Sequence, residues 1–523
     1  MADPLPSWKQ GRTRDDVVDF VDRVNAEEVP AEERLAVFDN DGTLWCEKPM
    51  PIQLDFILRR LVAMAQARPE LQARQPWQAA YERDYGWFAQ VMAEHYAGDD
   101  SNVRTLAGGI LAACSSDIKG SQTASSTGTI TLGYISPFTG PLAGFASGDR
   151  FVIDTIRATP AYSKGFKVGG RTYQVNIVVA DSQSDPNRAS QLARQLVLNN
   201  KVDMLLTSST PETVNPVAVV GQTQGVPCLA TNDPWESWYG GLGGNPATPT
   251  ASFQYCTVFF FGLKEFQGCF VPMWNRLPGK NKNVACMYPN DADGNAFRAA
   301  FEPLITDSGY SPVDGGAYND GATDFTSMIS KFKGADAQYF SNCPLPPDFN
   351  TFWKQANQQG WKPRLATVAK VLLFPADTAA LGSLVNNIAT DSWWGPYMPN
   401  KSSLDPKLSA AKLVHDFQEQ TGREWVQGIG STYSLFEVAR EVLTSVSDPH
   451  DKPEVASALH NVNYTGMCGP LNFSGGPAPG VAIIKPVGVQ WKQVSGKFPF
   501  EMKVVDNSLN TAVPVQADLQ ATN

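Results

Sequence analysis

At 523 residues the chain exceeds one ordinary domain, and roughly 150 residues per domain suggests about three. Its 42% hydrophobic and 18% charged residues describe a core-forming protein rather than a disordered one. A formal net charge of -10 excludes the concentrated basic surface that nucleic acid or an anionic membrane would need. No run of about 18 apolar residues occurs, so no helix is expected to span a bilayer.

The eight cysteines are unevenly spread. Cys46 and Cys114 lie early; Cys228, Cys256, Cys269, Cys286, Cys343 and Cys468 follow. None forms a CxxC pair, and His95, His415, His450 and His460 cluster with none of them, so no metal site is expected. Six cysteines in an exported domain can pair, with a connectivity that spacing does not give. Single buried thiols are the alternative, preferred for Cys286 within NVACMY.

Residues 1–102 form a first piece, mainly helical, with helical periodicity over 52–65 and 77–95. A short apolar strand over 35–38 runs into Asp39-Asn40-Asp41-Gly42-Thr43. The stretch VFDNDGTLW resembles the first motif of haloacid dehalogenase-like phosphatases. That resemblance makes Asp39 the nucleophile and Asp41 the proton donor, with Mg2+ as cofactor, if the segment is active. The phosphate-gripping Ser/Thr, the neutralising Lys and the further magnesium ligands belong to later strands of such a sheet. The sequence changes character before any such strand, so a truncated segment without catalysis is expected.

Residues 103–128 join the two pieces. RTLAGGILAAC, residues 104–114, looks like the end of a bacterial lipoprotein signal, with 111–114 as lipobox and Cys114 as the lipidation candidate. The Ser/Thr/Gly-rich stretch that follows suits a tether to a lipid anchor. The alternative is a small-residue helix ending in an unmodified cysteine, because the motif lies far from the start of the chain.

From residue 129 short strands and helices alternate. Strands are expected over 129–135, 173–179, 202–206 and 227–230, with helices over 145–159, 187–199 and 212–225 between or after them. A second series places strands over 284–288, 337–340, 364–368 and near Ile388, with helices over 296–308 and 349–359. Late helices cover 407–420, 432–446 and 453–460, and hairpin strands cover 482–490 and 498–504. Such βα units imply an α/β fold of parallel sheets flanked by helices, which takes ligands beyond the strand carboxyl ends.

The opening GYISPFTGPLAGFASGDRFVIDTI, the unit VVADSQSDPNRASQLARQLV, the turn YPNDADGNAF and the late GPLNFSG together resemble periplasmic binding proteins of the branched-chain amino acid type. These are solute-binding proteins of ABC transporters. The resemblance implies a two-lobed domain over 129–504, a lobe boundary near 255, a late crossing back, and a tail over 505–523. It also implies a small-molecule ligand such as an amino acid, an amide or an aromatic or amphipathic acid. A membrane permease of an ABC importer is the implied partner, in a periplasmic or cell-surface location, without enzymatic activity or cofactor.

In such proteins loop hydroxyls and backbone N–H groups hold the ligand's carboxylate. The matching positions are Ser136, Ser208, Ser209, Thr210, Thr231 and Asn232, several of which also suit helix capping. Tyr288, Asp291, Asn342 and Lys370 are expected from the second lobe, Asp291 facing an ammonium group or merely shaping a turn. Trp235, Trp238, Tyr239, Trp393 and Trp394 follow strand ends, where indoles suit an aromatic, amphipathic or cationic ligand. Two other readings stay open: a magnesium-dependent phosphatase working through Asp39, and a cytoplasmic ligand sensor.

Overall fold

The computed structural model describes residues 128–522 and, in part, residues 61–91. The chain divides into two compact units, Met1–Thr123 and Ala124–Asn523. In the first, a short helix Trp77–Glu82 follows a 3-10 turn Pro69–Ala73. Leu61, Leu71, Ala79, Ala80 and Phe88 form its small core. Asp39, Asp41 and Cys114, with the expected strand over 35–38, lie outside the described residues.

The second unit holds two seven-stranded sheets. The first is built from β1 (Gly128–Ser136), β2 (Phe166–Val168), β3 (Arg171–Asp181), β4 (Met204–Ser208), β5 (Cys228–Thr231), β6 (Cys256–Phe259) and β14 (Val481–Ala482). Their order is β14-β6-β5-β4-β1-β3-β2, parallel except for the β2–β3 pair. The second contains β7 (Asn283–Met287), β8 (Ser311–Asp314), β9 (Tyr339–Asn342), β10 (Leu365–Val368), β11 (Ala389–Ser392), β15 (Val487–Gln493) and β16 (Phe500–Asp506). Its order is β16-β15-β11-β10-β9-β7-β8, with β15 and β16 forming an antiparallel edge. A small hairpin, β12 (Asn463–Gly466) and β13 (Gly469–Asn472), lies apart from both.

Continuous burial explains the central strands. MLLTS in β4, CLAT in β5, YFSN in β9 and LATV in β10 are buried at every position, as strands covered by helices on both faces must be. Amphipathic helices supply that cover. Pro186–Leu198 buries Ala189, Ala193, Leu196 and Val197, and the Asp185 carboxylate caps it by accepting from the Arg188 N–H.

The chain passes between the sheets three times: after β6, after β11 and between β14 and β15. The helix Gly428–Ser445 thereby returns to the first lobe. Asp149, fully buried, accepts from the hydroxyls of Tyr134 at 2.6 Å, Ser136 at 2.7 Å and Thr432 at 2.8 Å. That knot ties β1, the helix Asp149–Ala158 and the returning helix together. Burial raises the Asp149 carboxyl above its ordinary range while the three hydroxyls pull it back.

Residues 507–522 lie along the second lobe. Val513 and Leu519 are buried, and Ala366 N–H donates to the Thr522 hydroxyl at 2.8 Å. The six described cysteines are all buried and free.

One close approach sets a testable cost. A Cβ built on Gly430 would run into the Trp394 ring, itself fully buried. Gly430→Ala is therefore expected to lower stability by about 1–3 kcal/mol through overpacking, read as a lower urea midpoint with an unchanged slope. An unshifted midpoint would show that the indole moves aside freely.

Candidate functional site

The carboxyl ends of both sheets converge on one cavity of about 40 Å³. Thr210 and Asn232 reach it from beyond β4 and β5, and Phe145 from the loop after β1. Asp293 and Cys343 come from beyond β7 and β9, Ala369 and Lys370 from beyond β10, and Asp391 from β11. The crossing segments contribute Phe260, Phe261 and Trp393. Ligand pockets usually offer about 300 Å³ or more, so a drug-sized ligand requires the lobes to part.

The backbone at these loops is strained. Ser209, Thr210, Asn232, Lys370 and Leu372 all hold positive φ, between 53° and 75°. Side chains adopt that region only where surrounding packing enforces it, and such positions gather where a protein presents groups to a ligand.

The lobes touch across the cleft. Lys370 Nζ lies 2.9 Å from Glu212 Oε1 in the first lobe, 2.6 Å from Asp293 Oδ2 and 3.7 Å from Asp291 Oδ2. The Phe145 and Phe374 rings meet edge to face with centroids 4.7 Å apart. Burial is the largest influence on both Glu212 and Asp293, and the lysine then divides them. Glu212, the more exposed, is held below its ordinary value by the Lys370 charge. Asp293 is pushed up to about 7 by burial, and the Glu212 and Asp291 charges offset part of what the lysine supplies.

Two more buried acids stand nearby. Burial raises Asp391 to about 7. Asp233 rises well above its ordinary range through burial and then through the charges of Asp293 and Glu212.

The site residues expected from sequence divide sharply. Thr210, Asn232, Trp393 and Lys370 line the cavity. Ser136 does not, because its hydroxyl serves Asp149. Thr231 donates to the Phe259 carbonyl at 2.8 Å, so it ties neighbouring strands. Ser208 and Ser209 bond each other at 2.9 Å, with the Asn232 amide on Ser208 at 3.0 Å.

Trp235, Trp238 and Tyr239 pack into the first lobe's core, and Trp394 lies against Trp425. Tyr288 donates to Ser341, Asn342 accepts from the Ala369 N–H, and Asp291 caps the turn at Gly294 while facing Lys370. The expected carboxylate grip is thus largely bonded to the protein itself.

Other wall residues escaped the sequence reading. Phe260 and Phe261 belong to the crossing after β6 and Phe266 to the helix Leu263–Arg276, neither of which the strand-helix pattern marked. Asp391 stands in the same DSWW run as the flagged tryptophans, and its acidity was the available signal.

Comparison with known proteins agrees with this architecture. The family model "Periplasmic binding protein" matches residues 129–483. A curated relative, the Leu/Ile/Val-binding protein homolog 3 of Brucella melitensis, is 26% identical over 220 residues, 40% of this chain. That match spans 54%, about half, of the relative's own length.

The leucine binding protein LivK of Thermotoga maritima shares the fold at a TM-score of 0.58 and 18% identity, over 72% of this chain and 99% of that one. A solute binding protein of an ABC transporter from Rhodopseudomonas palustris, solved with 3,4-dihydroxy benzoic acid, gives 0.56 and 15%, over 75% and 98%. The family match begins at residue 129, so it lends no support to the phosphatase resemblance upstream. With two lobes, a cleft at the strand carboxyl ends and a family match over most of its length, the chain belongs to the periplasmic binding protein family.

Proposed function

We propose that this protein captures a small organic solute between its lobes, outside the cytoplasm, and delivers it to the permease of an ABC importer. The observation that carries the reading is the convergence of both sheets' carboxyl ends on one cavity spanned by the Lys370–Glu212 ion pair. Binding and closure suffice for this task; no bond is made or broken, and no cofactor is needed. Amino acids, amides, aromatic or amphipathic acids and small organic amines are the classes to be screened; a dihydroxybenzoic acid is the ligand in the Rhodopseudomonas protein.

A thermal-shift screen of the full chain over these classes and small organic amines tests the reading. A ligand at a hundredfold over its Kd is expected to stabilise the protein by about 2.7 kcal/mol. No shift with any class would overturn it.

A further inference from the structure

The cavity wall accepts far more than it donates. Asp293 Oδ1 and Asp391 Oδ1 are buried without a hydrogen-bond partner in the protein. Both residues line the cavity, with side chains more than nine-tenths buried. Buried carboxylate oxygens left unpaired are costly, and a donor arriving with a ligand satisfies them.

Lys370, the cation of this wall, already faces Glu212, Asp291 and Asp293, so its charge is outnumbered rather than on offer. Six aromatic residues also line the cavity, Phe145, Phe260, Phe261, Phe266, Phe297 and Trp393, beside smaller apolar and polar groups. Several of these rings abut, with centroids 5.1 Å apart for Phe260–Trp393 and 5.3 Å for Phe266–Phe297. Ring faces attract cations, most strongly away from water.

Accepting on the functional reading above, we infer that the cleft selects a small organic cation, an ammonium or amidinium on an apolar body, and rejects ligands bearing a carboxylate. Of the hydroxyls that would hold a carboxylate, Thr231 bonds Phe259, and Ser208 bonds Ser209 and Asn232, which leaves that of Thr210 without a partner. A ligand carboxylate would enter a field already set by several acids. An ammonium would meet Asp391 and Asp293 through its N–H groups and the phenyl rings through its positive charge.

The test holds the carbon body nearly constant and changes charge alone. Isopentylamine, leucine and 4-methylpentanoate are titrated calorimetrically into the full chain at pH 8, where Asp293 and Asp391 ionise. The amine is expected to bind at least tenfold more tightly than either carboxylate. Asp391→Asn and, separately, Asp293→Asn are each expected to weaken the amine at least tenfold in protein that still melts cooperatively.

Equal or tighter binding of leucine or 4-methylpentanoate overturns the charge rule while solute binding stands. Unchanged amine affinity in both variants overturns it too. Binding by none of the three also overturns it, and the wider screen then decides whether solute binding survives.

Discussion

Lys370→Met is expected to destabilise the second unit by about 3–5 kcal/mol, because it strips the cation that faces three clustered carboxylates. The lysine side chain is only 5% exposed, so its pairs are not screened as surface pairs are. Its loss acts on both sides of the cleft. Glu212, held low by that charge, rises, and Asp293, already near 7, rises further. The lobes then repel where they are now joined.

Two measurements check this: a lower urea midpoint and a larger radius of gyration in solution scattering. Adding Glu212→Gln and Asp293→Asn to Lys370→Met should restore most of the loss, since the unpaired charges go with their partner. A Lys370→Met protein that unfolds at the parental midpoint and keeps its radius would remove the cluster's role in closure.

The second large effect is on pH. Asp293, Asp377 and Asp391 sit near 7 against an ordinary 3.8, and Glu236 near 7 against 4.5, in each case chiefly through burial. Folded protein therefore keeps protons on these acids at pH 5, where the unfolded chain has released them. Their stabilising contribution is complete below about pH 4 and drains away as pH climbs through 7. One such acid contributes up to about 3 kcal/mol between pH 5 and 7, at 1.36 kcal/mol per unit.

Two groups oppose the trend weakly. Glu212, held low, already contributes by pH 5, and His460, lowered by burial, gains as pH rises through its ordinary 6.5. The melting temperature is thus expected to fall by several degrees from pH 5 to pH 8, with a shallower fall in Asp391→Asn. A rising melting temperature over that range would contradict the assignment.

The fold was legible where strand and helix periods alternate cleanly. The unit from β3 to the helix Pro186–Leu198 sits within two residues of its expected place, because VVADSQSDP marks strand end, turn and cap in sequence. The closing hairpin was legible too, though β15 begins five residues later than expected. β6 and the helix Leu263–Arg276 were not, since CTVFFFGL has no polar punctuation to separate strand from crossing. β8 was missed for the opposite reason: SPVD is half exposed and lacks an apolar run.

The site followed the same logic. Thr210, Asn232 and Trp393, expected at the loops, line the cavity because the βα unit alone fixes where its loop ends. Ser136 and Thr231 stand in the right loops, but only packing decides which way a hydroxyl turns; Asp149, on the next helix, captures one of them.

The three crossings between the sheets have a mechanical consequence. One strap would let the lobes swivel and two would let them shear, whereas three at one end leave chiefly an opening angle. Ligand occupancy is thereby converted into a single coordinate rather than a spread of poses. A surface resting on both lobes at once reads that coordinate as a distance, whatever solute set it.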